Sequence, residues 1–317
     1  MNTPTKLGAY AVGLLALFGA ATGVGNTVGP IGPVDSEHTG AEHTAGREEK
    51  HGDHGAPGDA ESDPAAQEEL PGGLMVSERG YTLAMARDRL PAGDATPVSF
   101  RILGPDGAPV TDYDETHDKD LHFIAVRSDM TGFQHVHPEL DADGRWSVRL
   151  ALDAGSWRMF ADFAATEHGE TLTLGADVSV AGDYRPQILP TPSTTAQVDD
   201  YTVTLDGRLV PGQESELTLS VSRDGQPVTD LEPYLAAYGH LVALREGDLA
   251  YLHVHPAGEP GDGQTEPGPD ITFYATAPSA GDYRLFLDFQ HDGAVRTAEF
   301  TARAGEATAP MSLKENR

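Results

Sequence analysis

Asp106-Gly-Ala-Pro-Val-Thr-Asp112 returns 118 residues later as Asp224-Gly-Gln-Pro-Val-Thr-Asp230. The same offset carries His122 onto His240 and His135-Val-His-Pro138 onto His253-Val-His-Pro256, so 106–138 and 224–256 align without a gap and agree at 13 of 33 positions. A second match, at an offset of 126, sets Gly155-Ser-Trp-Arg-Met-Phe-Ala-Asp-Phe163 against Gly281-Asp-Tyr-Arg-Leu-Phe-Leu-Asp-Phe289. The eight-residue difference falls in the Gly- and Pro-rich stretch 257–270, where an insertion leaves a packed scaffold intact. The folded part is therefore an internal duplication.

Each copy reads as β-structure. In the second, Tyr201–Leu205, Glu216–Val221, His240–Arg245, Ile271–Ala275, Tyr283–Phe289 and Val295–Thr301 are short alternating or β-rich runs separated by turn signals such as Arg223-Asp-Gly-Gln-Pro227. The first copy offers the same set from Tyr81 to about Val180. Six or seven short strands in roughly 100 residues indicate an antiparallel sandwich. The expected fold is all-β, with two tandem Ig-like or cupredoxin-like antiparallel β-sandwiches over 74–184 and 199–304. Between them Pro186, Pro190 and Pro192 mark a stiff Pro/Thr linker, 185–198.

What precedes the sandwiches has a different composition. Leu7–Val34 carries no charge, and its apolar centre Ala9–Ala21 reads as a membrane-targeting helix. Segment 1–34 is thus a signal-anchor, holding the membrane through 7–28, or a cleaved signal peptide. Either way Lys6 stays inside and the rest lies outside the cytoplasm. The expected location is the cell membrane, single-pass with the C-terminal part outside, or else secretion. Residues 35–69 contain no Val, Ile, Leu, Met or aromatic residue and hold 11 acids against Arg47 and Lys50. Such composition cannot offset chain entropy by burial, so 35–73 is expected to be a disordered spacer, and 305–317 a disordered tail. His38, His43, His51 and His54 lie among the spacer's acids, a tract able to collect divalent metal loosely.

Overall, 50 acidic against 21 basic side chains give a net charge of −29 on 317 residues. Nucleic acid is excluded as a partner because phosphate carries the same sign. The absence of cysteine excludes disulfides, thiolate metal sites and cysteine nucleophiles. Any metal must use nitrogen and oxygen ligands.

Thirteen histidines supply the nitrogen. Side chains two apart on a strand share a face about 7 Å apart, so His135 and His137, or His253 and His255, project together. Pro138 and Pro256 end the strand, which places each pair near solvent. Thirteen residues upstream, His122 and His240 open another strand, and a hairpin between returns that histidine to the pair. Three imidazoles suit Cu(II) or Zn(II) and not Ca(II) or Mg(II). Asp162 and Asp288 hold matching places as further ligands, against the alternative of exposed Arg158–Asp162 and Arg284–Asp288 pairs. His168 and His291 follow these aspartates in different registers, as outer ligands or plain loop residues. His117 has Leu235 opposite it, so a symmetrical site does not use it.

The stretch from His240 to Pro256, followed by Gly281–Phe289 and Val295–Phe300, resembles a family of exported or membrane-anchored actinobacterial proteins described as heavy-metal- or copper-associated β-sandwich proteins. The resemblance implies export, two modules and histidine ligands at His122, His135, His137, His240, His253 and His255. The resulting expectation is a non-catalytic extracytoplasmic protein that binds copper, or zinc, for buffering, delivery or resistance. Its partners would be metal ions and a membrane metal transporter or another exported protein. The competing expectation is a cell-surface structural or interaction protein whose histidines brace loops. No catalytic motif of the serine-triad, zinc-protease or phosphate-loop kind is present. Whether the two modules hold separate sites or share one is left open.

Overall fold

A computed structural model describes residues 70–252 and 254–305. The N-terminal apolar segment, the spacer 35–69, His253 and the tail beyond 305 lie outside the described residues. Within them the chain is all strand and loop, with no helix.

The first module is two sheets face to face. One pairs Ser77–Glu78, Tyr81–Met85, Gly93–Leu103, Trp146–Leu152 and Glu139–Leu140 in that order. The other runs Arg89–Leu90, Thr171–Val180, Gly155–Ala165, Leu121–Arg127 and Gln134–Val136, with Tyr113–Asp114 also pairing to Gly155–Ala165. Alternation sends Trp157, Met159, Ala161 and Phe163 inward, where they meet Phe100, Phe123 and Trp146 in the core.

The second module repeats the plan with fewer strands in one sheet and one change that bears on the site. Thr195–Val198, Tyr201–Gly207, Glu214–Arg223, Asp270–Thr276 and Val254–Pro256 form one sheet, with Gln226–Pro227 on Glu214–Arg223; His240–Arg245, Gly281–His291 and Ala294–Ala304 form the other. Tyr201, Leu219, Phe273, Leu285, Leu287 and Phe300 fill its core. The change concerns the strands that carry the His-x-His motifs. Gln134–Val136 joins Leu121–Arg127, with Phe123 opposite Val136. Its counterpart Val254–Pro256 joins Asp270–Thr276 in the opposite sheet instead, with His255 opposite Tyr274.

All seven residues of Leu121–Arg127 are buried, on both faces of the strand. Their outward side chains form a third apolar cluster in which Ile124, Val126, Met130 and Phe160 meet Val242, Leu244, Leu249 and Phe286. Matching residues of the two repeats therefore pack on each other. The Phe133 and Phe286 rings stack with centroids 4.0 Å apart. The repeat offsets turn that pair into Tyr251 and Phe160, which also meet, at 5.7 Å. This is the pattern of an isologous interface, formed here within one chain. The linker takes part: Leu189 packs on the cluster and the Gln187 N–H donates to Asp129 Oδ2 at 2.9 Å.

Candidate metal centre

His122 opens the strand Leu121–Arg127, and its cross-strand neighbour Gln134–Val136 brings His135 and His137 back beside it, as period-two alternation and a hairpin require. One ring nitrogen from each of the three lies within 4.8 Å of the others. His122 Nδ1 is 3.1 Å from His135 Nε2 and 3.2 Å from His137 Nε2. Two nitrogens bound to one tetrahedral Zn(II) at its usual bond length are about 3.4 Å apart, so this spacing is already close to a coordinating one.

The outer nitrogens explain which way these rings face. His122 Nε2 donates to the Thr116 carbonyl at 2.8 Å, and His135 Nδ1 donates to Asp288 Oδ2 at 2.9 Å. With their outer nitrogens donating, the neutral rings of His122 and His135 carry lone pairs at Nδ1 and Nε2 respectively. Two lone pairs then face each other at the centre of the triad. A cation among the three nitrogens would relieve that opposition. Protonation of His122 and His137 is opposed by the surroundings. Burial, reinforced by nearby His135, pushes His122 down to about 2 and His137 down to about 4.

The triad is not at a solvent-facing strand end, as the strand-terminating Pro138 suggests, but at the seam between the modules. The second module covers it. Its His240 ring lies 5.7 Å from that of His122, nearly parallel, and 5.8 Å from that of His135. His240 Nε2 donates to the Leu235 carbonyl at 3.1 Å, repeating the His122–Thr116 bond, and burial followed by His135 lowers it to about 4. A cavity of about 220 Å³ opens beside these rings, lined by His117, His122, His135, His240, His255 and Asp162 among others.

The remaining candidates sort by position. Asp288 contacts the triad through its bond to His135, with both side chains almost wholly buried, and its other oxygen accepts from Thr297 Oγ1 at 2.6 Å. Asp162 lines the cavity, accepts from Thr173 Oγ1 at 2.7 Å, and is raised by burial. Neither forms the anticipated arginine pair. Residues four apart on a strand are separated by about 13 Å, and Arg158 instead holds Asp177 while Arg284 holds Glu299. His168 packs on Tyr81 and His291 bonds Tyr201 and Asp230; both are away from the triad. His255 is exposed at the cavity margin, and His253 is outside the described residues. His117, set aside for want of a repeat partner, packs against both His122 and His240, with ring centroids 5.9 and 4.8 Å away. Its lowered pKa follows from burial and then from His255.

A family described as "Domain of unknown function (DUF8832)" matches residues 76–184 and again residues 196–306. The chain belongs to this family, in two copies. No curated protein matches the sequence. Among solved structures, the Escherichia coli adhesin FdeC is 16% identical over 75% of this chain and 66% of that one, with a TM-score of 0.22. Salmonella alpha-2-macroglobulin is 15% identical over 75% of this chain and 15% of that one, at 0.25. Invasin, a bacterial integrin-binding protein, is 14% identical over 71% of this chain and 39% of that one, at 0.21. The chain thus spans less than two thirds of each. Likeness at this level says nothing of what the chain does.

Proposed function

We propose that the DUF8832 pair binds one transition-metal ion, Cu(II) or Zn(II), through His122, His135 and His137, and serves in metal buffering, delivery or resistance outside the cytoplasm without catalysing a reaction. The supporting observation is the convergence of three ring nitrogens, two of them left bare by the bonds their outer nitrogens make. Metal-bound histidines ordinarily show this arrangement, the outer N–H given to a carbonyl or carboxylate. Three nitrogens and no carboxylate at the centre favour Cu(II) or Zn(II) over hard cations. Titration calorimetry on chelator-stripped chain should show a single site with micromolar or tighter affinity, lost in His122→Ala/His137→Ala. No heat of binding from either ion would overturn the reading.

One observation favours a second reading, a structural or interaction module pair. His122 and His240 make the same bond to a loop carbonyl in both copies, which is what loop-bracing histidines do. In that case the same double variant lowers the melting temperature equally with and without metal.

A further inference from the structure

Asp288 belongs to the second sandwich, yet it bonds a histidine of the first. Its partner His135 is 153 residues away in sequence, at 2.9 Å, and the two side chains are 3% and 4% exposed. The carboxylate is itself fixed, because Thr297, across from it on Ala294–Ala304, donates to its other oxygen. A buried acceptor so placed allows the neutral ring one tautomer, with Nδ1 protonated and Nε2 bare toward His122 and His137.

We propose that Asp288 is the positioning residue of the metal centre, supplied across the seam, so that holding the ion and docking the two sandwiches are a single coupled equilibrium. The proposal rests on the metal-binding reading above. By linkage, an ion that prefers the ring orientation found only in the docked pair favours docking to the same degree that docking favours the ion. The apolar contacts of Phe133 on Phe286 and of Phe160 on Tyr251 then align the carboxylate. The seam is accordingly part of the site and more than a place where two modules happen to touch.

The test uses the full chain, stripped with chelator and titrated with Zn(II) in competition with a chromophoric chelator. Asp288→Asn should weaken Zn(II) binding by about 10- to 100-fold, the range for loss of such an outer partner, and Asp288→Glu should recover part of it. Nitrogen NMR of the wild type should show His135 protonated at Nδ1, and in Asp288→Asn, whose amide oxygen accepts more weakly than a carboxylate, that preference should weaken. Hydrogen exchange on the wild type needs no variant: Zn(II) should slow exchange in Gly281–His291 of the second sandwich as well as in Leu121–Arg127 of the first. Unchanged affinity in Asp288→Asn, or protection confined to the first sandwich, would overturn the proposal while leaving metal binding intact. A wild type that binds no Zn(II) or Cu(II) would overturn the metal reading and this one with it.

Discussion

At the scale of single residues, the informative feature is where protons are kept out. His122 is 3% exposed and held down to about 2, chiefly by burial, and His240 is held down to about 4 for the same first reason. An unfolded chain has ordinary imidazoles near 6.5. Between that value and about 4 the unfolded state therefore binds protons that the native rings refuse, and stability falls as pH falls. Each ring contributes a slope of up to about 1.4 kcal/mol per pH unit. Asp162, raised by burial, acts in the opposite sense. Ion-paired carboxylates such as Asp129 and Asp248 are lowered and titrate below this window. Urea unfolding of chelator-treated protein at pH 6.5, 5.5 and 4.5 should show stability falling at each step, with His137, held down to about 4, adding to the effect. A flat profile would mean that the rings are protonated in the native state.

At the scale of strands, two identical motifs have different fates. His135-Val-His137 sits on a strand hydrogen-bonded to the one that carries His122. Val254–Pro256 is drawn to Asp270–Thr276 in the other sheet, which leaves His255 exposed. Hence His255→Ala should change Zn(II) affinity by less than about threefold, whereas His137→Ala, which removes one of the three nitrogens proposed to hold the ion, should weaken it by at least two orders of magnitude; competition titration reads both. Equal losses would mean that the copies bind metal alike. Period-two alternation and the thirteen-residue spacing made the first triad legible in the sequence, down to the hairpin that closes it. The repeat itself concealed the divergence, because the same four letters, His-Val-His-Pro, stand in both copies and the difference lies in which neighbour each stretch pairs with. His117 was hidden for the converse reason, having a leucine in its place in the second copy. A signal for the seam was nevertheless present: Leu121-His-Phe-Ile-Ala-Val126 lacks the polar alternation of a half-buried strand, as expected when both faces are covered.

At the scale of the whole chain, the duplication explains the shape of the seam and the stability expected of it. The two copies present equivalent faces, Ile124, Val126 and Phe160 against Val242, Leu244 and Phe286, and these form an apolar cluster separate from both sandwich cores. Phe286 points away from its own core, where Leu285 and Leu287 point inward. Phe286→Ala should consequently spare the second sandwich and damage the docking of the pair. Removing a fully buried phenylalanine costs roughly 3–5 kcal/mol, a large share of the coupling that two modules can exert on each other. Scanning calorimetry of the wild type should give one transition for both sandwiches, and Phe286→Ala should separate it into two. Zn(II) at a hundredfold excess over its dissociation constant stabilises whatever unit binds it by about 2.7 kcal/mol. In the wild type that should raise the single transition, whereas in Phe286→Ala only the transition of the first sandwich should move, because His122, His135 and His137 all belong to it. A wild type that already melts in two steps, with Zn(II) shifting just one, would show that the seam is too weak to join the modules.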